Sequence, residues 1–170
     1  MAFTKIVLTK PQIDLAFDVA EKRTKKYGND PWNDQVGALG EVAVAVWATR
    51  EGVVPVDEAF RDPPRDGGAD LYLGPPKFSI DVKSSCGGDA YVFPEKQVGG
   101  LTTKAGGVVW CGVYPITSGW DITGFEVLLL GWSSAQEVSN APLVSPSGRD
   151  AYRVVSLPVK DLGDLLAAAQ

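Results

Sequence analysis

Residues 68–85 read GADLYLGPPKFSIDVKSS, and the fold turns on how this stretch pairs with itself. Asp70-Leu71-Tyr72-Leu73 and Phe78-Ser79-Ile80-Asp81-Val82-Lys83 have strand composition, and the intervening Gly74-Pro75-Pro76-Lys77 has the composition of a turn. A four-residue loop pairs Leu73 with Phe78, and counting back along both strands sets Asp70 opposite Asp81. Side chains alternate between the faces of a strand. Leu71, Leu73, Phe78, Ile80 and Val82 therefore share an apolar face, and Asp70, Asp81 and Lys83 a polar one. Like charges directly opposite each other destabilise a sheet. A hard divalent cation, which prefers oxygen ligands, would turn that repulsion into binding, and neutralising either aspartate would relieve it. For any single one of these residues, ordinary surface charge is the simpler reading.

Upstream, residues 11–27 form an amphipathic helix, with Pro11 in its first turn and Ile13, Leu15, Ala16, Val19 and Ala20 on its apolar face. Gly28-Asn29-Asp30-Pro31 ends it. A second helix is expected from about Asp34 to Arg50, stopping at Gly52. From Val36 to Ala48 every residue is apolar or glycine except Glu41, and a helix apolar all round is a buried one. Leu39, Val42, Val46 and Trp47 supply its core stripe. A carboxylate in that setting must be paired, protonated or metal-bound, because an unpaired buried charge costs several kcal/mol or more. An ion pair with Arg or Lys and a place in a metal site are equally open for Glu41 on this helix alone.

Downstream, strands are expected at 53–56, 90–93, 108–114, 125–132 and 152–157, and a terminal helix from Leu162 to Ala169 after Pro158. Pro94 opens a short helix through Val98 that Gly99-Gly100 weakens. Two helices followed by a run of strands describe an α/β protein with a mixed central β-sheet flanked by helices.

At 170 residues the chain suits one domain, 1–170, with a core that needs no disulfide or metal staple. It is 45% apolar and 22% charged, with no apolar run long enough to span a bilayer. Residues 1–8 lack the long apolar stretch and small-residue cleavage site of a secretory signal, so the cytoplasm is the expected compartment and no membrane partner is expected. Two cysteines, Cys86 and Cys111, are too few for a disulfide framework and read as thiols. The absence of histidine removes Ser-His-Asp and Cys-His catalysis and the usual zinc centres. Acid-base or metal chemistry must rest on carboxylates and lysine. A formal charge of −5 argues against a broad nucleic-acid coat, though not against a local basic patch.

Glu41 on an early helix, Asp70 at the head of one strand and Asp81-Val82-Lys83 on the next resemble the PD-(D/E)XK, or restriction-endonuclease-like, nucleases. The resemblance spans residues 34–98: GALGEVAVAVW is similar to the helix that carries the family's glutamate, and SIDVKSS to its central motif strand. Ala69 stands where the family usually has proline. The resemblance implies a restriction-endonuclease-like core and a nuclease cleaving phosphodiesters, with DNA the expected substrate. It implies that Asp70 and Asp81 hold Mg²⁺ or Mn²⁺, with the Val82 carbonyl as a possible ligand and Glu41 bound directly or through water. Lys83 would orient or help deprotonate the attacking water and offset charge in the transition state. Asp66, in a loop before two glycines, is the poorer substitute for Asp70.

Tyr91-Val92-Phe93-Pro94-Glu95-Lys96-Gln97 is similar to a segment of archaeal Holliday-junction resolvases. That makes a structure-specific, homodimeric resolvase the nearest alternative and Gln97 an accessory site residue. Lys22, Arg23, Lys25 and Lys26 are candidate phosphate contacts, or equally a solvated helix end favoured by the helix dipole. No recognition module is evident, so DNA affinity is expected to come from a homodimer or a partner protein. A catalytically inactive nucleic-acid or protein-binding module on the same fold is the reading from another class.

Overall fold

The computed structural model describes residues 3–53, 55–56, 70–73, 78–86, 91–104, 106–145, 148, 150–155 and 160–168. Along the chain run β1 (Thr4–Val7), α1 (Lys10–Tyr27), α2 (Pro31–Arg50), β2 (Pro55–Val56), β3 (Leu71–Leu73), β4 (Phe78–Cys86), β5 (Val92–Pro94) and α3 (Glu95–Lys104). There follow β6 (Gly107–Ser118), β7 (Asp121–Ser134), α4 (Ala135–Asn140), β8 (Leu143–Val144), β9 (Tyr152–Val154) and α5 (Leu162–Ala168). The expected loop at 74–77, together with Asp66, Ala69, Ala90, Pro158 and Ala169, lies outside the described residues.

Six strands form a mixed sheet in the order β1-β7-β6-β4-β3-β2, in which only β4 and β6 pair in parallel. That parallel pair needs a crossover, and α3 supplies it. The β3–β4 hairpin has the register counted from the sequence: Leu73 pairs with Phe78, Tyr72 with Ser79 and Leu71 with Ile80. A smaller antiparallel sheet, β5-β9-β8, was not among the sequence expectations.

Two apolar clusters flank the main sheet. On one face α1 and α2 bury Ile13, Ala16, Val19, Leu39, Val42 and Trp47 against Leu71, Leu73, Ile80, Val82 and Val109. Val46, expected in the core stripe, is only half-buried. On the other face Tyr91, Phe93, Leu101, Val108, Trp110 and Val138 form the second cluster. Asp81 pairs with Val108 and Lys83 with Trp110, so both polar side chains rise from this second face.

Where the elements differ from expectation, local causes account for it. Asp30 caps α2 by accepting a hydrogen bond from the Asn33 N–H at 3.0 Å, so Pro31 serves as a first-turn residue and the helix begins earlier than Asp34. α3 runs through Gly99-Gly100 because Leu101 is buried and Val98 packs on the second cluster. That packing outweighs a propensity cost of about 1 kcal/mol per glycine. β6 and β7 extend well beyond the expected 108–114 and 125–132, as a two-stranded ribbon closed by Gly119 at φ +64°. Such a conformation suits a tight hairpin turn. No helix among the described residues is long and apolar enough to cross a membrane.

Candidate metal and phosphoryl-transfer site

Glu41 reaches the site through a close helix–sheet approach. A Cβ on Gly40 would lie 1.9 Å from Ser84 Oγ, so glycine lets α2 settle directly on β4 one residue before the glutamate. Glu41 is 3% exposed. It is paired: both its oxygens accept from one guanidinium, Arg23 Nη1 to Oε1 at 2.6 Å and Nη2 to Oε2 at 2.7 Å. Burial works against the Arg23 charge, but Glu41, and more weakly Asp70 and Asp34, outweigh it and raise the arginine pKa.

Asp70 stands immediately before the first residue of β3. Its Oδ2 accepts a hydrogen bond from the Val82 N–H at 2.7 Å, an N–H that loses a strand partner where β3 stops. In an extended strand a residue's carbonyl points to the same side as its N–H, here the side of β3. Burial, then the charge of Glu41, then that of Asp81 push the Asp70 carboxyl well above the usual range. Lys83 and the Val82 N–H pull it back without prevailing.

On β4, Lys83 Nζ lies 2.9 Å from Asp81 Oδ2 and 5.0 Å from the centre of the Phe93 ring. Burial alone would lower the lysine pKa, yet Asp81, Asp70 and Glu41 together raise it. Lys83 is therefore a firm cation in this state, suited to donating hydrogen bonds and offsetting charge. Deprotonating a water is the poorer of the two roles expected for it.

The five groups make one electrostatic cluster, since Glu41 acts on both Asp70 and Lys83, and Asp70 acts on Arg23. Among the described residues Glu41, Asp70 and Asp81 face two cations, and Asp34 adds a weaker negative charge at Arg23. Arg23 is committed to Glu41 and Lys83 to Asp81, and among the described residues Asp70 has no ion pair of its own. Among those residues, too, no three acidic, histidine or cysteine side chains converge tightly enough to cage a metal ion. That arrangement still fits Mg²⁺, which binds through one or two carboxylates and keeps several waters. Asp70 and Asp81 are the carboxylates that could supply such a pair, with the backbone carbonyl of Val82 between Asp81 and Lys83 in the chain.

The remaining candidates separate clearly. Gln97 is exposed on α3 and takes no part in the hydrogen bonds and ion pairs of this cluster. Lys22, Lys25 and Lys26 are exposed on α1, where Lys25 pairs with Glu21 at 2.6 Å and Lys26 lies 4.8 Å from the Tyr27 ring centre. Arg23 parts company with them, since the guanidinium points inward to Glu41. The signal for this was present in the sequence: Arg23 falls three and four residues after the buried Ala20 and Val19, on the apolar face.

Compared with family models, curated proteins and solved structures, the chain matches none.

Proposed function

We propose that this chain is a metal-dependent nuclease with a restriction-endonuclease-like core, hydrolysing phosphodiester bonds in DNA. The observation that carries the reading is Asp70: a half-buried carboxylate that feels the charges of Glu41 and Asp81, lacks an ion pair of its own among the described residues, and also feels the Lys83 ammonium. An acidic cluster left one positive charge short is suited to a divalent cation. The order of elements supports the same reading. A buried helix carries Glu41, a hairpin carries Asp70 and Asp81-Val82-Lys83, and a crossover helix leads to a strand parallel to β4.

Asp70, Asp81 and the Val82 carbonyl would hold Mg²⁺ or Mn²⁺. Such an ion lowers the pKa of a coordinated water and polarises a phosphoryl oxygen. Lys83, held protonated by its acidic neighbours, donates to a non-bridging phosphate oxygen and offsets the charge that develops there. Glu41, gripped by Arg23, adds negative potential and orients water. The basic residues of α1 offer little net charge for a DNA backbone, which supports a homodimer or a partner protein as the source of affinity.

Incubation with linear, circular, single-stranded and branched DNA in Mg²⁺, Mn²⁺ or EDTA tests the proposal. Cleavage is expected with either metal and not in EDTA, and Lys83→Ala should abolish it while leaving Mn²⁺ binding largely intact. Preference for the branched substrate would identify a junction resolvase. DNA binding without cleavage of any substrate would favour the inactive binding module, and cleavage by Lys83→Ala at the wild-type rate would remove the assigned chemistry.

A further inference from the structure

Beyond the central sheet, β6 and β7 continue alone. β4 accompanies β6 only as far as Val113, and β1 accompanies β7 only from Glu126 onward, with one further bond from the Leu8 N–H to the Phe125 carbonyl at 3.0 Å. Residues 114–124 therefore form a two-stranded ribbon with, among the described residues, no strand on either outer edge. Unpaired strand edges are a template for another strand. The two edges differ. Pro115 pairs with Phe125, whose carbonyl turns outward to Leu8, so the Pro115 backbone also turns outward, on the opposite edge, and has no N–H to give. The β7 edge, Asp121-Ile122-Thr123-Gly124, carries neither proline nor lysine to guard it. Beside that edge Trp120 is fully exposed at the tip of the ribbon and Ile122 is 52% exposed. At its base Trp32, 39% exposed and 6.4 Å from the Phe125 ring centre, extends the apolar surface onto α2.

Charge decides what such an arm can meet. Residues 114–124 hold one charged side chain, Asp121, and no lysine or arginine, so the ribbon has nothing with which to neutralise a phosphate backbone. In a chain of net charge −5 it is also a stretch where two copies can approach with little repulsion. We infer that the ribbon docks on the ribbon of a second copy, the two β7 edges pairing antiparallel about a two-fold axis. An axis between Ile122 and Thr123 sets Asp121 opposite the partner's Gly124, so no like charges face each other. The two Trp120 side chains, each able to bury about 150–250 Å², then flank the seam. The inference supplies a surface for the homodimer in the proposed function and needs no cation at Asp70 and Asp81.

Sedimentation equilibrium of the full chain in EDTA, without DNA, tests it on wild type, Trp120→Ser and Ile122→Lys. Both substitutions replace exposed side chains, so melting by circular dichroism should match wild type, and the wild-type result stands whatever the variants do. Wild type should show a monomer–dimer equilibrium in the micromolar range that raised salt leaves intact, because no ion pair holds it. Trp120→Ser should weaken the dimer about thirtyfold, the scale of an interface hot spot. Ile122→Lys, which puts like charges on both sides of the seam, should leave a monomer. A wild type that stays monomeric across that range overturns the inference, and DNA cleavage by that monomer would leave the proposed function standing. Dimerisation without cleavage would do the reverse. A dimer that both variants retain unchanged lies elsewhere on the molecule and overturns the ribbon's role. Loss of DNA affinity in Trp120→Ser with no change in oligomeric state would make the tip a wedge between bases and also overturns docking.

Discussion

Two arginine–glutamate forks occupy this molecule, chemically alike and differently placed. Arg153 and Glu95 join β9 to the first turn of α3 at 2.5 and 2.9 Å, with both side chains substantially wet. Arg23 and Glu41 join α1 to α2 at 2.6 and 2.7 Å, nearly dry, with Asp70 and the Asp81–Lys83 pair close enough for their charges to interact. The surface fork is complete in itself, and it draws the Glu95 carboxyl below its usual range. The buried fork is one part of an unbalanced set. Bidentate geometry therefore says little about function by itself. The number of charges left over around the fork is what distinguishes a staple from a site.

The largest effect expected from this contrast is on folding. Arg23→Gln strands Glu41 in an apolar helix, which should cost about 3–5 kcal/mol and lower the melting temperature by on the order of 10 °C in EDTA. Arg153→Gln breaks a wet fork and should shift melting by a small fraction of that. Comparable shifts for the two would mean that burial does not separate the forks.

Next in size is the contrast between the two aspartates. Repulsion across the hairpin, taken alone, makes Asp70→Asn and Asp81→Asn equally stabilising in EDTA. The structure breaks that symmetry. Neutralising Asp70 removes surplus charge and leaves both ion pairs standing, with the Asn oxygen still able to accept from the Val82 N–H. Neutralising Asp81 removes the 2.9 Å pair with Lys83. Asp70→Asn should therefore melt higher than Asp81→Asn, by about 1–3 kcal/mol or several degrees. Identical melting would return the hairpin to the symmetric picture.

A smaller effect appears as pH dependence. The folded Asp70 carboxyl holds its proton more tightly than the unfolded one, whose pKa is about 3.9. Its stabilising contribution is complete below that value and is lost as pH rises through the raised folded value. In EDTA, the advantage of Asp70→Asn over wild type should be absent near pH 3 and grow toward neutrality. Parallel stability curves for the two proteins would contradict the charge shortage at Asp70.

The smallest effect concerns the α1 surface. Replacing Lys22, Lys25 and Lys26 by Ser should lower the salt slope of DNA binding only slightly, because Lys25 already pairs with Glu21. A loss of three units of slope would make the helix a principal phosphate contact.

Much of this arrangement can be read in the sequence because it rests on short-range rules. The hairpin register follows from a loop of four residues and a period of two. The burial of α2 follows from one glutamate among twelve apolar or glycine residues. What could not be read depends on pairings distant in sequence. Arg23 and Glu41 are 18 residues apart on separate helices, and Arg23 lies in a basic run that reads as a solvated helix end. β1 pairs with β7 across more than a hundred residues, and although strands were expected at 90–93 and 152–157, their joining with the two-residue β8 in one sheet is a pairing distant in sequence. α4 was legible and missed: Ser134-Ala135-Gln136-Glu137 is a capping box, with Ser134 and Glu137 bonded reciprocally.

The central proposal is that the cluster around Asp70, which among the described residues has fewer cations than carboxylates, takes a divalent ion. Melting temperatures of wild type and Asp70→Asn, each in EDTA and in saturating Mg²⁺, test it most directly. A ligand that binds only the folded state stabilises it by mass action. The account predicts that the Asn variant is the more stable protein in EDTA, that Mg²⁺ raises wild type and barely moves the variant, and that their order reverses. A wild type more stable than the variant in EDTA, with neither responding to Mg²⁺, would show that Asp70 is already satisfied and that no cation belongs there.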